Sequence, residues 1–248
     1  MNVRLTGKNL DDIVPFLQRY GIAVTDSEEA GLIICHGGDG TLLLAEQAYP
    51  GVPKFPIRDE GTAPRCPDHH YEAQLAAFAA GQLATVRLPK IAGRCNGRCL
   101  KALNDISIHH GDITAALRYR VRIDGELYAH EIVGDGVCLS TVHGSTAYYR
   151  SITHGIFRVG LGLAFNNSTE EVDHLVLSEK SRIEIEIVRG PGLLTADNAP
   201  EIIKLESGDV VEMFQIDETA EVIGLADFMC PRCRALRHPH KLPFKGYF

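Results

Sequence analysis

The sequence predicts an α/β N-terminal unit, residues 1–90, followed by a β-rich C-terminal unit, residues 91–248. Three observations carry this. Apolar runs alternate with helical periodicity through the first ~90 residues, as in a parallel α/β sheet. Beyond Leu83 strand-like runs succeed one another with few helices between them, as in an antiparallel sheet. Asn96-Gly97 and Asp124-Gly125 stand between such runs, as two-residue hairpin turns do. The boundary falls near residues 85–100.

Taken in order, residues 8–20 place Leu10, Ile13, Val14 and Leu17 at helical spacing, with Asp11 and Asp12 in the first turn, and predict an amphipathic helix. Residues 21–24 read as a short strand. Leu32-Ile33-Ile34-Cys35 is an apolar run closed by glycines and reads as a buried strand; Leu42 to Ala48 behind it reads as a helix, ended before Pro50. Residues 54–57 suit another strand, 58–69 a Pro/Gly/His-rich loop, and 71–80 an alanine-dense helix. Strand-like runs then follow at 84–89, 99–109, 117–123, 127–132, 137–141, 182–188 and 210–216, with a helix at 145–151.

The chain has 248 residues, of which 45% are hydrophobic, enough to bury the cores of two modest domains. Its net charge of −7 excludes a broad nucleic-acid footprint, which needs a basic face. No run of about 18 apolar residues occurs, so no transmembrane helix and no membrane partner are expected. Residues 1–7 lack the apolar core of a signal peptide. Seven irregularly spaced cysteines suit a reduced, cytoplasmic protein.

Two stretches carry chemistry. Gly37-Gly38-Asp39-Gly40-Thr41 joins the predicted strand to the predicted helix. Glycines there let backbone N–H groups approach a ligand, and a helix start favours anions. A carboxylate beside a phosphate then needs a reason, such as a metal ion or a proton to remove. The plain alternative is a turn that suits Gly and Asp for backbone reasons. The second stretch is Gly134-Asp135-Gly136 followed by Ser140-Thr141-Val142-His143-Gly144-Ser145-Thr146-Ala147-Tyr148. It could expose backbone to a flat polar ligand, or simply lead into a capped helix.

Together with Asn104-Asp105, these stretches occur in the order found in NAD kinases, and the chain resembles a divergent member of that family over residues 31–48 and 101–151. Thr195-Ala196-Asp197-Asn198 and Gly208-Asp209-Val210-Val211 are weaker echoes. The resemblance implies a Rossmann-like N-terminal domain, a β-sandwich-like C-terminal domain, and phosphoryl transfer from ATP or polyphosphate to the 2′-hydroxyl of the adenosine ribose of NAD. It implies Asp39 as catalytic base, with Gly37, Gly38, Gly40 and Thr41 cradling phosphate. It implies NAD contacts from Asn104, Asp105, Asp135, Thr146, Ala147, Tyr148 and Ser151. Mg2+ or another divalent cation and a homo-oligomer, dimer or tetramer, follow by the same analogy.

The chain departs from the family pattern in places. Asn104-Asp105 stands where Asn-Glu is usual, and Phe55-Pro56-Ile57-Arg58-Asp59-Glu60-Gly61-Thr62 where the family has Gly-Val-Asn-x-Gly-x-Leu-Gly-Phe. Residues 152–164 replace its Gly-Gly-Pro-Ile segment. Two alternatives stay open: a kinase of this fold acting on another nucleotide or diol, and a non-catalytic nucleotide-binding regulator. Cys230-Pro231-Arg232-Cys233 has the spacing of half a zinc site, for which Cys95 and Cys99 could supply the other half; a redox pair and plain free thiols are the alternatives, and no stoichiometric zinc is expected. His69-His70, His109-His110 and His238-Pro239-His240 read as loop or surface residues. Arg232, Arg234, Arg237, Lys241 and Lys245 read as a solvated or subunit-facing basic end.

Overall fold

The computed structural model describes residues 2–27 and 30–237; His238, His240, Lys241 and Lys245 lie outside the described residues. The chain forms two compact units, residues 1–87 with 220–248, and residues 88–219.

The first unit holds a parallel sheet. β1 (Asn2–Gly7) lies between β2 (Ala23–Val24) and β3 (Leu32–His36), and β3 pairs with β4 (Lys54–Ile57). All positions of β3 and β4 are buried, as expected of parallel strands covered on both faces. α2 (Asp39–Ala48) packs on β3 and β4, while α1 (Val14–Arg19) packs on α3 (Tyr71–Ala79). Leu17, Leu32, Ile34, Phe55, Ile57 and Leu75 form the core. The single helix expected over 8–20 is instead a 3-10 turn (Leu10–Asp12) followed by α1. Pro15 explains the break, because it lacks an N–H and is tolerated only in a helix's first turn.

The second unit is a pair of sheets around one core, with helix only between strands. β5 (Thr85–Cys95) enters it and forms a hairpin with β6 (Arg98–Ala102). β7 (Asp105–His110) is followed by β8 (Leu117–Ile123) and β9 (Glu126–Gly134), another hairpin. Both hairpins turn on the expected dipeptides: φ is +49° at Asn96, +76° at Gly97, +54° at Asp124 and +84° at Gly125, as type I′ turns require. Next come β10 (Gly136–Ser140), a 3-10 turn (Gly144–Thr146), α4 (Tyr148–Thr153), β11 (Leu161–Asn166) and β12 (His174–Leu177). The unit continues with β13 (Ile183–Arg189), β14 (Gly192–Ala196), β15 (Ile203–Leu205) and β16 (Val210–Ile223).

One antiparallel sheet runs β12-β11-β10-β7-β14-β15. In the other, β13 lies between β8 and β16. Alternate residues of β8 (Leu117, Tyr119, Val121) and β13 (Ile183, Ile185, Ile187) meet Ile106, Leu139 and Leu163 of the first sheet in the shared core. The chain then leaves this unit along β16, and residues 220–237, including α5 (Leu225–Phe228) and α6 (Pro231–Arg237), belong to the first unit. Among the described residues, no helix is long and apolar enough to cross a membrane.

Candidate functional site

In the first unit Gly37 and Gly38 leave the end of β3, and α2 begins at Asp39 itself. Thr41 N–H donates to Gly38 O (3.0 Å), which starts the helix. Gly37 has φ +155°, and a Cβ there would meet Thr41 Oγ1 at 2.3 Å, so only glycine fits. Asp39 is 58% exposed in the first turn. Its carboxylate carries a partner that the sequence reading did not assign. Arg58 donates from Nη1 to Oδ2 (3.1 Å) and from Nη2 to Oδ1 (2.8 Å). Arg58 is itself fixed: Nε donates to Phe228 O (3.2 Å), and the guanidinium lies 3.8 Å from the centre of the Phe228 ring.

Residues 58–62 are held within this unit by a hydrogen-bond network. Buried Asp59 accepts from Asn9 Nδ2 (3.1 Å), Gly61 N–H (3.0 Å) and Thr62 Oγ1 (3.1 Å). Glu60 accepts from Tyr71 N–H (2.7 Å) at the start of α3. The Tyr71 hydroxyl accepts from Glu60 N–H (2.6 Å) and contacts His36 Nε2 (3.0 Å) at the end of β3. Since His36 Nδ1 faces the Lys8 carbonyl, Nδ1 carries the proton and Tyr71 donates to Nε2.

In the second unit Asn104 and Asp105 sit at the start of β7, bound into a lattice around Asp197. The Asp197 carboxylate accepts from the backbone N–H groups of Leu103 (2.8 Å), Asn104 (2.8 Å) and Asp105 (3.1 Å). Asp197 adopts φ +47°, a conformation that Asp tolerates better than most residues. Asn104 O accepts from Thr141 N–H (2.9 Å) and Ser140 Oγ (3.1 Å). Thr141 Oγ1 donates to Leu103 O (2.5 Å) and accepts from Gly144 N–H (3.1 Å). Gly144 is obligatory here, because a Cβ would come within 2.1 Å of Asn104 O. Asn104 Oδ1 is buried and has no hydrogen-bond partner among the described residues. Burial, with Asp197 nearby, pushes the Asp105 carboxyl up to about 7. Burial also raises Asp197, against its three backbone donors.

Thr146 closes the 3-10 turn, Ala147 links it to α4, and Tyr148 and Ser151 lie on α4. Tyr148 OH accepts from Asn166 Nδ2 (3.2 Å), and its ring centroid is 5.5 Å from that of His109 on β7. Ser151 Oγ donates to Tyr148 O (2.7 Å). Asp135 is at the opposite end of β10 from Thr141, roughly 20 Å away at ~3.3 Å per residue. It accepts from Asn167 Nδ2 (3.0 Å). The predicted residues of this unit thus follow β10 along its length, with Tyr148 tied to β11. Asn166, Asp197 and Arg58 are the residues that sequence reasoning missed. Asp197 stood within a quoted echo, and Arg58 within a quoted departure.

Cys95 and Cys99 do not supply the other half of a cluster with Cys230 and Cys233. Cys95 is buried in the core of the second unit and Cys99 is exposed on β6. The residues that approach Cys230 and Cys233 are Cys66 and His69, so His69 is no simple loop histidine. Arg232 is exposed, as expected of a solvated basic end, and its guanidinium pairs with exposed Asp68.

Residues 103–225 match the ATP-NAD kinase C-terminal domain family. NAD kinase of Brucella melitensis is 31% identical over 148 residues, 58% of this chain and 56% of that protein; the chain thus aligns with little more than half of that relative's length. NAD kinase of Hyphomonas neptunium is 28% identical over 184 residues, 69% of this chain and 72% of that protein. Among solved structures, yeast NADH kinase complexed with NADH superposes with a TM-score of 0.81 at 18% identity, covering 100% of this chain and 89% of that one. An NAD kinase from Archaeoglobus fulgidus in complex with ATP gives 0.75 at 19% identity, covering 96% and 99%. At these identities the structural likeness establishes the fold.

Proposed function

We propose that this chain, whose residues 103–225 match the ATP-NAD kinase C-terminal domain, acts as an NAD kinase, transferring a phosphoryl group from ATP to the 2′-hydroxyl of the adenosine ribose of NAD and giving NADP. Asn104 carries this reading. Among the described residues its buried Oδ1 has no hydrogen-bond partner, and it can accept from a donor outside the chain such as the adenine amino group. Asp105, titrating near neutrality, can accept from or donate to a ribose or purine edge. Thr146, Ala147, Tyr148, Ser151 and Asp135 would hold the rest of an extended dinucleotide along β10.

In the first unit Gly37, Gly38, Gly40 and Thr41 would receive phosphate at the start of α2. Asp39 would accept the proton of the ribose hydroxyl. Arg58 aims that carboxylate by donating to both of its oxygens. A carboxylate offers about four acceptor sites and a bidentate guanidinium takes two. With the Asp39 side chain 58% exposed, a substrate hydroxyl can reach it.

Magnesium or another divalent cation would neutralise charge on the transferred group. Among the described residues, the one group of three or more ligating side chains within reach of a common ion consists of cysteines and a histidine, a soft donor set unsuited to magnesium. Asp39 belongs to no such group among the described residues, so these residues do not fit a resident magnesium site; the ion is expected to arrive as the nucleotide complex. A reducing cytoplasm suits the seven free cysteines. Self-association as a dimer or tetramer rests on family analogy. The test is incubation with ATP, magnesium and NAD, with NADP quantified. NADP formation that chelator abolishes and manganese restores is expected. ATP consumption with other diol nucleotides but not with NAD would favour the different-substrate kinase.

A further inference from the structure

We propose that Cys66, His69, Cys230 and Cys233 bind one Zn2+ in a closed, tetrahedral, structural site within the first unit. Their four donor atoms all lie within 4.8 Å of one another. Cys66 Sγ is 3.4 Å from Cys233 Sγ and 2.9 Å from His69 Nδ1, and Cys233 Sγ is 3.8 Å from the same nitrogen. A zinc ion at ~2.3 Å from sulfur and ~2.0–2.1 Å from nitrogen spaces tetrahedral donors about 3.5–3.8 Å apart. Small side-chain movements therefore bring the four onto an ion. The pattern C-x2-H with C-x2-C supplies three thiolates and one imidazole, a common structural zinc set. Cys66, Cys230 and Cys233 are 4%, 6% and 0% exposed, which leaves no open position of the kind a catalytic zinc keeps.

The surroundings favour metal over idle thiols. His69 turns Nδ1 to the sulfurs while its Nε2 faces Asp227 Oδ1 at 3.4 Å, the carboxylate support that orients a metal-binding imidazole. Cys233 Sγ accepts from Cys66 N–H (3.3 Å). Three thiolates and Zn2+ leave one net negative charge. Buried Arg65 stands beside it, donating from Nε to His69 O (3.0 Å) and from Nη2 to Asp227 O (3.1 Å).

The site ties residues 65–69 to residues 227–233, segments over 150 positions apart in sequence. Phe228 lies in the second of these segments and Arg58 shortly before the first, and Phe228 holds Arg58 on Asp39. Zinc would thus fix the clamp on Asp39 without touching substrate, through its hold on α5. Sequence spacing alone could not reveal this, because the second pair of ligands is Cys-x2-His inside a loop.

The experiment is elemental analysis of full-length protein purified without chelator from zinc-replete cells, followed by cobalt substitution. One zinc per chain is expected, absent from Cys230→Ser/Cys233→Ser and retained in Cys95→Ser/Cys99→Ser. Cobalt protein should show tetrahedral d–d bands and thiolate-to-cobalt charge transfer. If the Cys230/Cys233 variant does not fold, the wild-type cobalt spectrum decides: thiolate charge transfer supports the site and its absence overturns it. Metal-free protein with seven titratable thiols that takes up neither ion would overturn the proposal, as would zinc retained in the Cys230/Cys233 variant.

Discussion

Replacing Asp39 by asparagine separates the roles its carboxylate could have. Asp39→Asn preserves size and turn geometry but removes the proton acceptor and the charge facing Arg58. Arg58 is only 6% exposed and makes two hydrogen bonds to Asp39, at 3.1 and 2.8 Å. Hydrogen bonds to charged groups contribute ~1.5–3 kcal/mol when shielded from water. Here the carboxylate side is 58% exposed, and asparagine keeps one acceptor, so the net loss should be about 1 kcal/mol. That lowers Tm by about 4 °C for a unit of this size. Catalysis should suffer more, since general-base assistance is typically worth about 10²–10⁴ in rate. Steady-state kinetics should therefore show kcat reduced at least about a hundredfold, with KM for NAD little changed. A carboxylate serving mainly to hold metal would instead give a variant partly rescued by added magnesium. Retention of more than about half the wild-type turnover would refute the base role, because an amide cannot replace a base at so small a cost.

Three further outcomes follow from the second unit. Burial raises the folded Asp105 carboxyl to about 7, so the folded state keeps a proton that the unfolded chain releases near pH 4. The stabilisation is full below the unfolded value and is lost as pH rises through about 7. Urea midpoints should consequently shift in favour of Asp105→Asn between pH 4 and 7, and a pH-independent difference would contradict the burial argument. Gly144→Ala must push a methyl into Asn104 O, at 2.1 Å, and should cost at least the upper end of the ~1–3 kcal/mol typical of overpacking, read as a lower denaturation midpoint. Tyr148→Ala should weaken NAD binding roughly tenfold by calorimetry, within the ~1–3 kcal/mol that aromatic contacts give nucleobases, while unchanged affinity would remove Tyr148 from the site.

Where local chemistry dictated structure, the sequence was readable. The apolar run 32–35 could only be a buried strand, and both Asn-Gly and Asp-Gly dipeptides became the turns their positive φ values allow. Strand β11 was hidden because it carries Gly162, whose missing side chain makes room for Phe157; a Cβ would meet that ring at 2.2 Å. Packing, not propensity, selected that glycine. Strands β14 and β15 were hidden by the Gly-Pro-Gly at 190–192 and by their brevity. Contiguous candidate motifs such as 37–41 and 144–148 could be read from the sequence. Contacts made across long separations did not: Arg58 with Asp39, Asp197 beneath Asn104, and Cys66 and His69 opposite Cys230 and Cys233. The single-residue departures from the family pattern were visible, but what each one touches is set by tertiary structure.

The most direct measurement follows the label from [γ-32P]ATP with magnesium and the purified chain. With NAD as acceptor, label should appear in NADP, and a 2′-deoxyadenosine analogue of NAD should remain unlabelled. Label transferred equally to the deoxy analogue, or transferred to other nucleotides while NAD stays unlabelled, would contradict phosphorylation of the NAD adenosine ribose at its 2′-hydroxyl.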